Sequence, residues 1–197
     1  STSGVFLCLM GPNTFVPLAG ISKKQTSVSK STPEAEIVAV DHGICKEGIP
    51  ALDLWETLLG RTRMNVRVME DNSACTRFVV TGSNPSMRHL ARTQRIDITW
   101  LNERFKEGSF TFVECPSLYQ AGDIFTKHCI DVKYWRRNLM LIGHFDKAQI
   151  MNAGAIGAAP GITKKIKKNV DAPDSKALSL EEDELDIMAL AVTREFK

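Results

Sequence analysis

The sequence predicts a mixed α/β domain over residues 1–145, followed by a tail over residues 146–197 of different composition. Three observations predict it. Two apolar runs, GVFLCLM and FVPLAGIS, flank the turn-forming tetrapeptide GPNT, which reads as a β-hairpin over residues 4–22. From Pro33 to Leu59 the apolar residues Ile37, Val40, Ile44, Ile49, Leu52, Leu54, Trp55 and Leu58 recur at mostly helical spacing. NVRVME (65–70) then alternates apolar and polar residues like a strand and runs into DNSA, which carries turn and capping chemistry.

The elements follow in order. The polar stretch SKKQTSVSKST separates the hairpin from the first helix. Gly48 and Pro50 interrupt that helical region, predicting two helices or one with a break, and Gly60 ends it. Cys75 to Val80 is a short helix. Residues 86–107, carrying Ile96, Ile98, Trp100, Leu101 and Phe105, predict one long amphipathic helix. SFTFVEC (109–115) is a strand closed by Pro116, Gln120 to Lys127 starts another helix, and Trp135 to Ile142 is a further one.

In the tail, MNAGAIGAAPG is rich in small residues, KKIKK (164–168) is a basic cluster and DAPDSK is turn material. SLEEDELDIMALAV reads as an acidic amphipathic helix over 179–192. Ser179 and Glu182 fit a capping box there, and Leu185, Met188, Ala189 and Val192 share a face. The stretch 146–163 is expected to be a mobile linker, and 179–192 to dock on a partner or back on the domain.

Bulk properties exclude little. With 197 residues, of which 43% are hydrophobic, the chain can bury one core of ordinary size. Lys plus Arg number 25 against 23 Asp plus Glu, a net +2, so any evidence for nucleic acid must be local. The five cysteines (Cys8, Cys45, Cys75, Cys115, Cys129) form no CxxC pair, which points to reduced thiols and an intracellular, reducing compartment, cytoplasm or nucleus. His128 beside Cys129 does not have zinc-site spacing. No window is apolar enough for a membrane span, and VFLCLM is too short and lacks a basic flank for a signal peptide. The first residue is Ser1 rather than Met, so the chain reads as processed or as a piece of a longer one.

Acids stand at three telling places: Glu36 early in the first helix, Asp71 where a strand ends, and Asp123 early in a late helix. Each has a structural alternative. Glu36 could complement the helix dipole, Asp71 could cap a helix and Asp123 could lie on a solvated face. Glu34, two residues before Glu36, fits a capping role after Ser31.

Taken together, the segments STSG (1–4), SKKQ (22–25), STPEAE (31–36), EDNSA (70–74), TQRIDI (93–98) and QAGDIFTK (120–127) resemble, in order, the ribonuclease H domain at the end of copia-type retrotransposon polyproteins. That family has an S-T-S-G opening and an S-K-K-Q in its hairpin, S-T-x-E-A-E at a helix start, D-N-x-S-A after a strand, T-K-H-I-D-I, and Q-x-A-D-I-x-T-K near the end. The resemblance implies a ribonuclease H-like mixed sheet with flanking helices. It also implies hydrolysis of the RNA strand of RNA/DNA hybrids by two Mg²⁺ or Mn²⁺ ions, since hard cations take oxygen ligands and activate water. Carried over by position, Glu36, Asp71 and Asp123 are the implied catalytic residues and metal ligands.

Two departures qualify the expectation. The family's first strand carries an aspartate between the two ions, in a D-x-D segment upstream of S-T-S-G. This chain opens at S-T-S-G, and no acid precedes Glu34. Any metal is therefore expected to bind weakly, and this chain alone to be inactive or nearly so. Gln94-Arg95 replaces the family's K-H, and Gly122 replaces the alanine before Asp123.

Hybrid binding is expected mainly through phosphates, from Lys23, Lys24 and Lys30 in the polar loop and from Arg88, His89, Arg92 and Arg95. The alternative is that these are merely solvated charges. A second function class also stands: a non-catalytic interaction subunit built on the truncated scaffold. In the family's sheet the missing strand is central, antiparallel to the hairpin and parallel to NVRVME. Its absence would leave two unpaired edges facing each other, so something must fill the gap. If the chain belongs to an assembly, a strand from a protein partner is the preferred filler; a hairpin paired directly with NVRVME, or a detached hairpin, are the alternatives.

Overall fold

The computed structural model describes residues 1–11, 14–60, 64–83 and 85–145, together with the backbone of 187–195. The expected linker 146–163 and the first part of the expected tail helix, 179–186, lie outside the described residues.

The hairpin forms as expected. Strands β1 (Thr2–Gly11) and β2 (Thr14–Lys24) pair antiparallel, with a register shift between Leu7 and Cys8. Pro17 stands opposite Cys8 at that shift, on an edge strand where a missing N–H is tolerated. Val5 through Leu9 are all buried, so β1 is covered on both faces, which explains its unbroken apolar run. Strands β3 (Val66–Glu70) and β4 (Phe110–Glu114) pair parallel.

The gap between the hairpin and β3 is filled by the chain itself. Residues Ile187–Glu195 form strand β5, and the sheet order is β2-β1-β5-β3-β4. β5 runs antiparallel to β1 (Leu7 opposite Leu190) and parallel to β3 (Val68 opposite Leu190). The sheet therefore does not lack a central strand, and the expected partner strand is replaced by the chain's own tail. The expected docking helix over 179–192 is also corrected, since from Ile187 onward the tail is extended. Its Met, Ala and Leu residues favour a helix locally, but pairing with β1 along 187–195 and with β3 along 188–191 outweighs that preference.

The first helical region is continuous. Helix α1 (Thr32–Gly43) passes through a wide π-turn at Ile44–Gly48 into α2 (Ile49–Leu59), with Gly60 closing it in the left-handed conformation. Pro50 sits in the first turn of α2 and Gly48 in the π-turn, so the break read from the sequence is a local widening. Helix α3 (Ser73–Thr81) is capped by the Asn72 side chain, which accepts from the Cys75 N–H at 3.0 Å.

Two expected helices differ. The long helix over 86–107 is broken into a 3₁₀ turn at Pro85–Met87, α4 (Leu90–Thr93) and α5 (Ile98–Lys106). Arg95 takes φ 60°, and Asp97 caps α5 by accepting from the Thr99 and Trp100 N–H groups, so local capping chemistry overrides the apolar periodicity. Gln120–Lys127 is not an α-helix but 3₁₀ turns at Ser117–Tyr119 and Ala121–Phe125. Helix α6 (Val132–Leu141) covers the last expected helix, starting at the Asp131 cap.

Side chains alternating along β1 sort the core into two layers. Val5, Leu7 and Leu9 pack with Ile37, Val40, Ile44, Val68, Val79, Leu101 and Phe110 on the face covered by α1, α3 and α5. Phe6 and Cys8 pack with Ala121 and Leu141 on the other face. The result is a mixed α/β domain with helices on both sides of one sheet.

Candidate metal centre

Strands β3, β4 and β5 are parallel, so their C-terminal ends gather at one edge of the sheet, where α/β sheets place their sites. β3 ends on Glu70. The chain turns at Asp71 and enters α3, while the first turns of α1 bring Glu36 to the same place. Glu36, Glu70 and Asp71 each offer a carboxylate oxygen, and these oxygens lie within 4.8 Å of one another. Two of the expected ligands, Glu36 and Asp71, are thus brought together.

Glu70 was not among the expected site residues. Its signal was legible: period two places it on the same face as Val66 and Val68, and an acid ending an apolar face is informative. It is 2% exposed. One oxygen, Oε1, accepts the Asn72 N–H at 3.0 Å; the other, Oε2, is buried without a hydrogen-bond partner. Burial, and next the neighbouring Glu36 carboxylate, push its pKa up to about 9. Asp71 is half-buried and accepts from the Ser117 hydroxyl at 2.7 Å.

Asp123 is not one of this group. It is 1% exposed in the 3₁₀ turn, and its Oδ2 is taken by Lys127 Nζ at 2.6 Å and the Tyr134 hydroxyl at 2.8 Å. It lies on the same side of the molecule, however. The buried Cys115 thiol is pushed up to about 12, first by desolvation and then by Asp71, Asp123 and Glu70. Lys127 is raised despite its burial, because the Asp123 carboxylate stabilises its charge.

Glu34 resolves as a cap. Ser31 is the N-cap of α1 and accepts the Glu34 N–H, while Glu34 Oε2 accepts the Lys30 N–H at 2.7 Å, a reciprocal arrangement of the capping-box kind. Glu34 is 1% exposed, and it also contacts His89 at 3.3 Å and accepts from Gln94. Burial alone would raise its pKa; the Lys30 N–H, His89 and Gln94 together bring it below the usual value. A further bond from Ser27 Oγ to the Thr93 carbonyl ties the same two loops.

The expected nucleic-acid residues divide accordingly. Lys23, Lys24, Lys30, Arg88, Arg92 and Arg95 are exposed. His89 is engaged with Glu34. The Glu34 contacts place the Lys30 loop beside the Arg88–Arg95 segment, at the end of α1 that carries Glu36.

The five cysteines are all free thiols, with Cys8, Cys75 and Cys115 buried. Among the described residues no helix is long and apolar enough to cross a membrane. Comparison of the chain with protein-family models, curated proteins and solved structures returns no match.

Proposed function

We propose that this chain is a ribonuclease H-like domain of the copia-type retrotransposon lineage, which binds RNA/DNA hybrids and has little hydrolytic activity of its own. The observation that carries the reading is the convergence of Glu36, from the start of α1, with Asp71, from the end of β3, at the carboxyl edge of a mixed sheet. The order of that sheet, with its central strand antiparallel to the hairpin and parallel to β3, also supports it.

Carboxylate oxygens suit Mg²⁺ or Mn²⁺, and the partnerless buried Oε2 of Glu70 shows that the edge has unused acceptor capacity. Glu36 and Asp71 fit such an ion. Asp123 fits less well, because Lys127 and Tyr134 occupy its Oδ2. When bound, the ions would generate the attacking hydroxide and stabilise the leaving 3′ oxygen. The chain's own residues would do the rest. Lys30, Arg88, Arg92 and Arg95 neutralise backbone phosphates, and Glu34 holds their two loops in register at the mouth of the site.

The weak-activity half of the proposal comes from β5. The central strand contributes IMALAVTRE and holds no acid until Glu195, which pairs with Thr2 beyond β3. This favours a second reading, in which the fold serves as a non-catalytic interaction subunit of a larger assembly. Free thiols agree with a reducing intracellular compartment.

A labelled RNA/DNA hybrid tests both. Fluorescence anisotropy in EDTA should show binding that weakens with salt and weakens further in an Arg88→Glu, Arg92→Glu variant, with cleavage in Mg²⁺ or Mn²⁺ at or near background. No binding at low salt would overturn the nucleic-acid reading. Robust cleavage abolished by Asp71→Asn would overturn the inactive one.

A further inference from the structure

We propose that Glu70 is a metal ligand, forming with Glu36 and Asp71 a divalent-cation site of three carboxylates at the end of β3. The inference rests on the metal-dependent reading above and changes its ligand set, replacing the engaged Asp123 with a residue that the family resemblance does not supply.

Three observations carry it. The first is spacing: oxygens within 4.8 Å of one another match the span across the coordination shell of a hard cation, whose bonds are about 2.0–2.6 Å. The second is the state of Glu70. It is 2% exposed, Asn72 fixes one oxygen, and the other is buried with no donor. A buried carboxylate oxygen without a donor costs stability unless something supplies the missing positive partner. The third is that neither Glu70 nor Asp71 makes an ion pair among the described residues, while Lys127 pairs with Asp123.

The local structure suits a ligand. Glu70 is the last residue of a buried strand, its backbone is fixed by pairing with β4, and the Asn72 N–H orients its carboxylate, so little ordering is needed on binding. Asp71 follows directly after it, and Glu36 approaches from α1. A rigid strand end and a helix start thus present hard oxygens from different directions, as a divalent cation requires.

Mn²⁺ alone, titrated into the full chain without nucleic acid and followed by loss of the free-ion electron paramagnetic resonance signal, tests the site. Wild type should bind one ion. Glu70→Gln, nearly isosteric, should weaken binding at least tenfold, whereas Asp53→Asn on the exposed side of α2 should leave it unchanged. Equal affinity in Glu70→Gln and wild type would overturn the proposal. An independent measurement uses the unmutated chain: Mn²⁺ should broaden amide signals of residues 36 and 70–72 first, and their persistence while other signals vanish would equally overturn it. Because hybrid is absent from both, a chain that binds Mn²⁺ at Glu70 but not hybrid would retain this site and lose the nuclease lineage reading.

Discussion

The strand that closes the sheet is paired on both sides, which makes a proline there costly. Ala189 of β5 pairs with Cys8 of β1 on one side and Arg67 of β3 on the other. In Ala189→Pro the ring removes an N–H that a central strand has no spare neighbour to replace, and the orphaned carbonyl costs roughly 1–3 kcal/mol. The fixed φ and ring bulk add strain, so a total of about 3 kcal/mol or more is expected. β5 as a whole contributes on the order of ten ladder bonds at ~0.5–1.5 kcal/mol each, comparable to the ~5–15 kcal/mol by which a domain is stable. Urea unfolding followed by tryptophan fluorescence reads the effect. With a slope of about 2 kcal/mol/M, the midpoint should fall by roughly 1.5 M. The edge strand β2 carries Pro17 natively, which shows what an edge tolerates and a centre does not. An unchanged midpoint in Ala189→Pro would mean that residues 187–195 do not pair with β1 and β3.

Glu70→Gln in EDTA should flatten the pH dependence of stability. The folded protein keeps the Glu70 proton up to about 9 while the unfolded chain releases it above 4.5, so wild-type stability falls as pH rises through that window, by at most about 1.4 kcal/mol per unit; parallel urea midpoints from pH 5 to 9 would refute this. Glu34→Gln should act in the opposite sense. Its lowered pKa contributes stability that is present above 4.5 and lost as pH falls through the folded value, so the variant should be about 1–3 kcal/mol less stable at pH 7 and near wild type in acid, with faster amide exchange in 25–31 and 88–95. Asn102→Ala should cost roughly 1–3 kcal/mol in denaturant melts, because the buried Asn102 amide donates to the Val79 and Val80 carbonyls that end α3, at 2.9 and 2.7 Å. A loss below half a kcal/mol would mean that water satisfies those carbonyls.

Much of the domain was legible because local chemistry and tertiary demand agree there. The hairpin, α1 with its Ser31 cap, β3 and β4 each carry a periodic pattern bounded by turn or capping residues, and each forms within a few residues of its expected place. The pattern failed where two signals competed. The apolar residues of 86–107 read as one helix, but Asp97 caps, and a capping side chain starts a new helix rather than continuing an old one. The tail failed for a different reason. Leu185, Met188 and Val192 keep helical spacing, yet whether IMALAV is helix or strand depends on the open slot between β1 and β3, a feature of the whole sheet that no local window contains. In the site, Glu36 and Asp71 were readable from motif order. Glu70 was readable only from the pleat, and the Lys127 and Tyr134 contacts that occupy Asp123 depend on α6 packing against the 3₁₀ turn.

The way the slot is filled bears directly on chemistry. β5 passes Met69 at Ala191, and because the strands are parallel, the residues it carries past the end of β3 are Val192, Thr193, Arg194 and Glu195. A two-ion mechanism needs a carboxylate between its ions, and the central strand is where such a group would sit closest to both. Here that strand pairs on both sides and carries no acid before Glu195. Among the described residues, the acids that cluster at this edge come from α1 and from two consecutive residues at the end of β3, a set that fits one cation. Water activation and leaving-group stabilisation fall to different ions in this chemistry, so losing one site removes most of the transition-state stabilisation even if the other is filled. On the proposed reading, a domain that held one ion, with its basic loops aligned through Glu34 and its central strand supplied by its own tail, would bind a hybrid more readily than cut it.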